Sequence, residues 1–364
     1  MKLKLFSLGC FFTVLLAAAM AGAQALTFVD MAGRRVTTPF DPDRIVCLGP
    51  GALRLVVYLQ AQDKVVAVEN MEKANPGGRP YWHAQPQLRQ LPACGPGGPA
   101  AINKKPDLEK ILAVAPQVIF VTYMDAALAD EVQKILQIPV VVLSYGALAT
   151  FDETVFQALK IAGKVLNLER RAAAVVARIE FLRADLHART ATIPADRRPR
   201  VYVGGIGYRG SRGIDSTEQK YVPFDWVHAG NLAEGLPAAA GSHTFVDREI
   251  LLRLNPDVIF IDGGGLALVK DDYAKQPAYY NSLKAFAERK VYLLLPFNWY
   301  TTNIGTALGD AYAIGKILYP GAFADVDPAG KCDEIYADLV GRPVYAQMQK
   351  DYGAIGQPVP FIAP

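Results

Sequence analysis

One pattern of apolar and polar positions occurs twice in the chain, first at residues 106–121 and again at residues 246–261. In each copy, apolar positions recur at helical spacing, a proline follows, and an unbroken apolar run of strand length ends the segment. This order predicts a short amphipathic helix that stops at the proline and leads into a buried strand. Pro116 and Pro256 lie 140 positions apart, far beyond a solenoid period of roughly 20–50 residues. The repeat therefore predicts two lobes of similar build.

Strands and helices alternate along most of the remaining chain. Apolar runs predict strands at residues 44–49, 65–68, 118–121, 140–143, 200–204, 258–261 and 291–294, after a small hairpin at 27–36. Helical spacing predicts helices at residues 52–59, 126–136, 225–231, 281–288, 306–318 and 332–340. We expect mostly loop in the region 70–103, which is rich in proline and glycine, and a loose tail after Gly353. Such alternation is typical of an α/β fold with parallel sheets.

The stretch 151–190 has a different character, because it contains no proline and few turn residues. Its apolar spacing predicts a helix to about residue 165, a break near Asn167 and a long helix to about residue 187. We therefore predict a leader at 1–25, an N-terminal lobe at 26–150, a connecting helix at 151–190 and a C-terminal lobe at 191–364. A cleft between two such lobes is the expected ligand site.

The N-terminus predicts export. Lys2 and Lys4 precede an apolar run at about residues 8–20, and Ala23-Gln24-Ala25 follows as a cleavage site of the A-x-A type. The run is shorter than the roughly 20 residues that span a membrane, so we expect cleavage after Ala25 and a soluble periplasmic monomer. Without the leader, 36 basic residues face 35 acidic ones, a net charge of +1. This balance argues against a nucleic-acid partner or a polybasic membrane anchor.

Motifs of catalysis are weak or missing in the sequence. A G-x-G-x-x-G match at residues 205–210 continues as loop instead of opening a helix, which argues against a dinucleotide. There is no G-x-S-x-G motif or C-x-x-C pair, and the four histidines lack the spacing of metal or nucleophile sites. We therefore predict no enzyme activity, no cofactor and no bound metal. Cys47 and Cys94 could pair in an exported protein or remain buried thiols, and the sequence leaves both open.

Aromatic and arginine side chains are concentrated in the loops that follow the predicted strands. Such loops bind ligands in open α/β sheets. Arginine combined with aromatic rings suits a large anionic or planar ligand through charge, hydrogen bonds and stacking. The candidate ligand-binding residues are Trp82, Tyr145, Tyr208, Arg209, Arg212, Asn298, Trp299 and Tyr300.

Several segments of the chain resemble a known family. They are residues 29–34, 44–46, 64–68, 281–286 and 291–292, together with both repeat copies. The chain is similar there to the substrate-binding proteins of ABC importers for ferric siderophores, haem and cobalamin. The resemblance implies two Rossmann-like lobes with parallel sheets, joined by one long rigid helix and with the ligand cleft between them. It also implies that Glu109 and Glu249, at matching places in the repeat, bind arginines of the membrane permease.

The chain departs from the family at one position of interest. Many relatives carry a glutamate in the helix after the first strand, where this chain has Arg54. The resemblance favours capture of an iron complex, such as a siderophore-like chelate, and its delivery to the permease subunits. The alternatives are an oxyanion such as molybdate or tungstate, which glycine-rich backbone amides could hold, or a corrinoid or haem. A secreted enzyme that uses the same cleft is the hypothesis from another class.

Overall fold

The computed structural model of the protein describes residues 25–74, 77–147, 150–208, 210–238 and 242–362. Its first half runs through β1 (Ala25–Val29), β2 (Arg35–Pro39), β3 (Ile45–Leu48), α1 (Ala52–Tyr58), β4 (Val65–Ala67), α2 (Asn70–Ala74), α3 (Pro80–Ala84), α4 (Leu108–Ala113), β5 (Val118–Thr122), α5 (Ala126–Leu136), β6 (Val140–Leu143), α6 (Thr154–Val165) and α7 (Glu169–Thr190). Its second half runs through β7 (Arg200–Gly204), β8 (Ser216–Glu218), α8 (Val222–Trp226), β9 (Gly230–Asn231), β10 (His243–Phe245), α9 (Arg248–Leu254), β11 (Val258–Asp262), α10 (Leu266–Lys275), α11 (Pro277–Asn281), α12 (Lys284–Ala287), β12 (Val291–Leu294), α13 (Ile304–Leu318), α14 (Pro328–Val340) and α15 (Tyr345–Tyr352).

Two parallel sheets of four strands each form the frame of the molecule. The first has the order β4-β3-β5-β6 and the second the order β12-β11-β7-β9. The strands of the first sheet are almost wholly buried, which suits β-branched and other apolar residues with helices on both faces. The predicted α/β class with two lobes and parallel sheets is confirmed. The two antiparallel pairs, β1-β2 and β8-β10, lie outside these sheets.

The sequence repeat is also a repeat of structure. Strand β5 covers Val118–Thr122 and β11 covers Val258–Asp262, and α5 and α10 begin at Ala126 and Leu266, all at the same offset of 140. The unusual backbone angles also match, because Ala115 and Asn255, at the same offset, both have a left-handed φ, of 41° and 40°. The same turn therefore links helix to strand in each lobe.

A single hydrophobic core extends from one sheet to the other. It includes Phe120 of the first sheet, Ile179 of α7, Leu308 of α13 and Phe260 of the second sheet. Helices α13 and α14 pack closely because α13 carries Gly309, where an added Cβ would lie 2.5 Å from the Cys332 sulfur. A close-packed core shared by both lobes resists sliding of one lobe against the other.

Three local predictions were wrong in detail. The helix expected at 225–231 begins earlier, at Val222 with a proline in its first turn, and β9 occupies the end of that range. The tail after Gly353 is not loose, since the Leu293 amide donates to the Gln357 carbonyl at 2.9 Å and Val359 is buried. The region 70–103 contains α2, α3 and two 3₁₀ turns, not mainly loop.

The cysteine question is answered by packing. Cys47, Cys94 and Cys332 are all buried free thiols. Cys47 packs in the large core that contains α1, whereas Cys94 packs with Ile111 and Val132 in a separate core. Both thiols are unbonded in the structure, where they are buried as small apolar residues.

Candidate ligand-binding cleft

The two lobes meet where the carboxyl ends of their strands face each other. The loop after β12, residues 295–303, leaves the second sheet and packs against α1 and the end of β6 in the first lobe. The loops after β3, β5 and β6 form the opposite wall. Carboxyl ends of parallel strands are where α/β sheets bind ligands, so this contact zone is the candidate site.

Arg54 is the centre of the contact between the lobes. Its side chain is fully buried, and all of its nitrogens donate hydrogen bonds. Nε donates to Asn303 Oδ1 at 2.9 Å, Nη1 to the Thr302 carbonyl at 2.9 Å, and Nη2 to the Trp299 and Tyr300 carbonyls at 3.0 Å each. One arginine of the first lobe thus holds the backbone of a loop from the second.

The charge of Arg54 has no counter-ion in the described part of the chain. Its acceptors are carbonyl, amide and hydroxyl oxygens, and no carboxylate of the described residues lies within 4.0 Å of it. Burial lowers the pKa of Arg54, but interactions with Tyr145 and Tyr81 outweigh it and leave the pKa raised. The nearby Glu72 is committed to Arg79, whose Nη1 lies 2.5 Å from its carboxylate. Hydrogen bonds and the rings of Tyr81 and Tyr145, whose centroids lie 5.1 and 5.8 Å from the guanidinium, stabilise the buried charge, but no carboxylate of the described residues neutralises it, so its field can attract an anion.

A second contact joins the lobes through Tyr300. Its hydroxyl donates to Glu69 Oε2 at 2.5 Å and accepts a hydrogen bond from the Gly98 amide at 3.0 Å. The Gly49 amide donates to the other carboxyl oxygen of Glu69 at 3.1 Å. Burial raises the pKa of Glu69 to about 7, although these hydrogen bonds oppose the shift.

Two hydroxyl groups from opposite lobes face each other at the centre of the cleft. Tyr123 follows β5 and Thr301 lies in the loop after β12, and both have left-handed backbone conformations. Each hydroxyl is buried and lacks a well-formed hydrogen bond within the described residues. Burial raises the pKa of Tyr123, while its interactions with Thr301 and Arg54 oppose that rise. Both groups can donate to a ligand that accepts hydrogen bonds.

Gly51 brings the walls of the cleft together beside these hydroxyls. An added Cβ at Gly51 would lie 2.6 Å from the Tyr145 ring and 2.8 Å from the Thr301 methyl carbon. Its φ of 83° is also one that residues with a side chain rarely adopt. A glycine is therefore required here for the approach of the two lobes.

Buried carboxyl groups lie deeper in the second lobe. Burial, helped by the charge of Asp262, raises the pKa of Glu218 to about 8, and burial raises that of Asp262 to about 7. Asn298 donates to Glu218 Oε1 at 3.2 Å, while Glu218 Oε2 has no partner among the described residues. At pH 7 Glu218 is therefore mostly protonated and Asp262 about half protonated, so the pair carries less negative charge than two ordinary carboxylates would.

The candidate ligand residues fall into separate places. Tyr208 stacks on His243 with ring centroids 4.4 Å apart, and Arg212 donates to the Tyr208 carbonyl at 3.0 Å. Asn298, Trp299 and Tyr300 lie together in the loop that Arg54 holds.

The remaining candidates lie mostly in the first lobe. Tyr145 is buried and donates to the Gly51 carbonyl at 3.0 Å. Trp82 is buried against the Arg79 guanidinium, 5.7 Å from its ring centroid. Arg209 lies outside the described residues. The roles of all eight in ligand binding stay predictions.

Sequence reasoning missed Arg54, Glu69 and Thr301 as parts of the site. A signal for Arg54 was present, because it is the only charged residue in the apolar run 52–59 directly after a strand. A charge in a helix that is otherwise apolar on every side must be buried with partners. Glu69 and Thr301 gave no comparable signal.

The two predicted docking residues occupy equivalent exposed positions. Glu109 lies in the first turn of α4 and Glu249 in the first turn of α9. Both helices run antiparallel to the strand that follows, so their first turns lie at the cleft edge of each sheet. Neither carboxylate forms an ion pair within the described residues.

One serine–histidine pair and the possible metal ligands of the described ranges can be compared with known catalytic and metal arrangements. Ser216 and His243 are 2.8 Å apart, but the other ring nitrogen of His243 has no partner to complete a triad. The described residues contain no group of three or more histidine, cysteine or acidic side chains placed to hold a metal ion. Among the same residues, no helix combines the length and apolarity needed to cross a bilayer.

Comparison with known proteins places the chain in a family. A family model described as periplasmic binding protein matches residues 45–296, from β3 to just beyond β12. The chain is 27% identical over 356 residues to the molybdate-binding protein MolA of Haemophilus influenzae, covering 90% of this chain and 93% of that protein. The structure of MolA bound to molybdate superposes with a TM-score of 0.69 at 22% identity, covering 87% of this chain and 98% of that one. A periplasmic solute-binding protein of Veillonella parvula gives a TM-score of 0.70 at 17% identity, with 90% and 97% covered. This chain belongs to the periplasmic binding protein family.

Proposed function

We propose that this protein is the solute-binding protein of an ABC importer and that its ligand is a small tetrahedral oxyanion of the molybdate and tungstate class. The observation that carries the proposal is the buried charge of Arg54, which has no counter-ion within the described residues. An oxyanion in the cleft would supply that counter-charge. The similarity to the molybdate-binding protein MolA supports the same ligand class.

The contact between the lobes also contains donors of hydrogen bonds that suit an oxyanion. The Tyr123 and Thr301 hydroxyls are buried, come from opposite lobes and interact with each other without a well-formed hydrogen bond. A tetrahedral oxyanion accepts hydrogen bonds on every side, so one ligand can satisfy both groups. Such a ligand would tie the lobes together through contacts that a cation could not make.

The size of the cavities also favours a small ligand over an iron chelate. The cavity beside Asn298 and Trp299 has a volume of about 30 Å³ and the cavity beside Glu69 about 40 Å³; they lie next to the contact between the lobes, and neither is lined by Arg54, Tyr123 or Thr301. Ligands of drug size need pockets of roughly 300–1,000 Å³. An iron complex, a corrinoid or haem would require the contacts of Arg54 and Tyr300 to open, so the iron-complex prediction is now the second candidate.

Titration calorimetry of the purified protein tests the proposal. We expect saturable 1:1 binding of molybdate and tungstate, and no binding of a ferric hydroxamate, haem or cobalamin. Tyr123→Phe and Thr301→Val each remove one hydroxyl, and each should weaken molybdate binding by about 10-fold, the usual value of one hydrogen bond to a charged group. Tyr292→Phe, which removes a hydroxyl from β12 outside the cleft, is the control. Binding of the ferric hydroxamate but not of molybdate would reject the oxyanion.

We further propose that Glu109 and Glu249 dock the protein on its permease after export and cleavage at Ala25. Equivalent charges on two lobes suit a permease built from two similar halves. Glu109→Gln with Glu249→Gln should abolish uptake but leave ligand binding unchanged; loss of ligand binding in this variant would contradict the docking role. N-terminal sequencing of protein from the periplasm checks the cleavage site.

A further inference from the structure

Two exposed leucines accompany the two glutamates. Leu112 on α4 is 49% exposed and Leu252 on α9 is 38% exposed, although large apolar side chains are usually buried. They stand at the same offset of 140 as Glu109 and Glu249. The repeat therefore preserves an acidic residue and, three positions later, an exposed leucine.

Each pair lies on one face of its helix. Residues three apart on a helix are neighbours on its surface. The buried residue of each helix is the one between them, Ile111 in α4 and Leu251 in α9, so both helices face the core in the same way. The leucines point outward because the helical register leaves them on the solvent side, one turn further from the cleft than the glutamates.

The two glutamates remain available to bind a partner because the neighbouring basic side chains form ion pairs with other carboxylates. Lys110 binds Asp107 at 2.8 Å, and Arg248 binds Asp272 at 2.9 Å. In the second lobe the apolar surface continues to Leu268, which is 43% exposed and lines a shallow groove with Arg248 and Asp272. Its counterpart at the same offset is Leu128, which is partly buried. Each lobe thus presents an unpaired carboxylate beside apolar surface.

We infer that Glu109 with Leu112, and Glu249 with Leu252, form a two-part docking surface for a permease face that carries a basic and an apolar group at each of two sites. This inference rests on the proposed importer function and adds an apolar contact to the proposed acidic one. Charge at such a surface steers association, whereas burial of an apolar side chain slows dissociation. The core shared by the lobes holds the two sites at a fixed separation, so both can bind a rigid partner at once.

The test is binding of the whole mature protein to the permease–ATPase complex of its importer in lipid nanodiscs, followed by interferometry. Leu112→Ser and Leu252→Ser should each weaken binding by about 5-fold, and the double variant by about 25-fold or more, in the range of moderate interface residues. The loss should be mainly in the dissociation rate. Ile135→Ser is the matched control, because Ile135 is 48% exposed on the first lobe but lies at the far end of α5, and its counterpart in the repeat is Lys275.

The outcomes separate this inference from the proposed function. Loss of binding in the leucine variants, with Ile135→Ser unchanged and molybdate titration unchanged in all, supports the two-part surface. If the double leucine variant binds like the unmodified protein while Glu109→Gln with Glu249→Gln does not, the apolar contact is wrong and the acidic docking stands. If neither pair changes binding, both the docking proposal and this inference are rejected.

Discussion

In the first repeat, β5 ends in Thr122 and is followed by Tyr123, whereas in the second, β11 ends in Asp262 and is followed by Gly263. The strands that lead to these positions match residue by residue, and the helices before them begin at matching residues, Leu108 and Arg248. Thr122 donates to the Pro50 carbonyl at 2.9 Å and supports the turn that carries Gly51, while Asp262 accepts from the Gly264 amide at 2.8 Å. The two lobes therefore share their outer build and differ at the edge that faces the ligand.

Packing explains why the second lobe cannot copy the tyrosine of the first. An added Cβ at Gly263 would lie 2.9 Å from Tyr352 and 3.1 Å from the Leu294 carbonyl, so a side chain has no room there. The second lobe instead supplies Thr301 from the loop after β12, which Arg54 holds in place. The comparison teaches that the lobes are alike on the outer helices that carry the proposed docking residues and differ at the edges that carry the proposed ligand donors.

The largest effect on stability should follow from Arg54→Met. Arg54 joins the facing edges of the two lobes, which carry different residues. The substitution leaves the Tyr300 and Thr302 carbonyls and the Asn303 amide oxygen buried without the donor that Arg54 supplies, whereas the Trp299 carbonyl still accepts from the Asn303 amide nitrogen. We expect the free energy of unfolding to fall by about 3–5 kcal/mol, since each buried polar group left unpaired costs about 1–3 kcal/mol. Urea denaturation measures the loss, and molybdate titration should show no binding.

Two further variants sharpen this result. Arg54→Lys keeps the charge but not the planar set of donors, so it should recover part of the binding and little of the stability. Arg178→Met is the control, since the half-exposed Arg178 pairs with Glu334 and Asp338 on the surface and should cost about 1 kcal/mol at most. A fall in stability as large for Arg178→Met as for Arg54→Met would refute the central role of Arg54.

An effect of intermediate size on stability and on molybdate affinity should come from a change of pH, through the buried carboxyl groups of the second lobe. The pKa of Glu218 is raised to about 8 and that of Asp262 to about 7, so folding favours their protonated forms. Their contribution to stability is therefore complete below about pH 4 and is lost progressively as the pH rises to the folded pKa values of about 7 and 8. In the folded protein the two groups ionise only near pH 7 and 8, and this places negative charge near an oxyanion, so molybdate affinity should fall across that upper part of the range.

Neutral isosteres test whether Glu218 and Asp262 cause this pH dependence. Glu218→Gln and Asp262→Asn cannot ionise, so each should flatten the decline and raise the free energy of unfolding at pH 8.5 by on the order of 1–3 kcal/mol relative to the unmodified protein. Glu69 in the first lobe, with a pKa of about 7, should keep part of the pH dependence in both variants. A decline as steep in the variants as in the unmodified protein would assign the pH dependence to other groups.

The sequence predicted the repeated scaffold well because its signal is local. Helical spacing, the stops at Pro116 and Pro256 and the apolar strands are each decided by neighbouring residues. The site was less predictable because its contacts cross the chain: Arg54 binds residues about 250 positions later. The tail after Gly353 was misjudged for the same reason, since it gains order by pairing with the edge strand β12 and by burial of Ile355 and Val359 in cores built from distant residues.

The smallest effect should come from Ala115→Gly, at the turn that the repeats share. Ala115 and its counterpart Asn255 both have a left-handed φ, which costs alanine about 1 kcal/mol and asparagine less. Ala115 is exposed, so glycine there should relieve strain without loss of packing and raise the free energy of unfolding by about 0.5–1 kcal/mol, as measured in urea. Asn255→Ala should act in the opposite direction, because the Asn255 side chain also accepts a hydrogen bond from the Lys284 amide at 2.9 Å. If both substitutions raise, or both lower, the free energy of unfolding, the two turns are not equivalent. The structural repeat would then include the strands but not the turns that precede them.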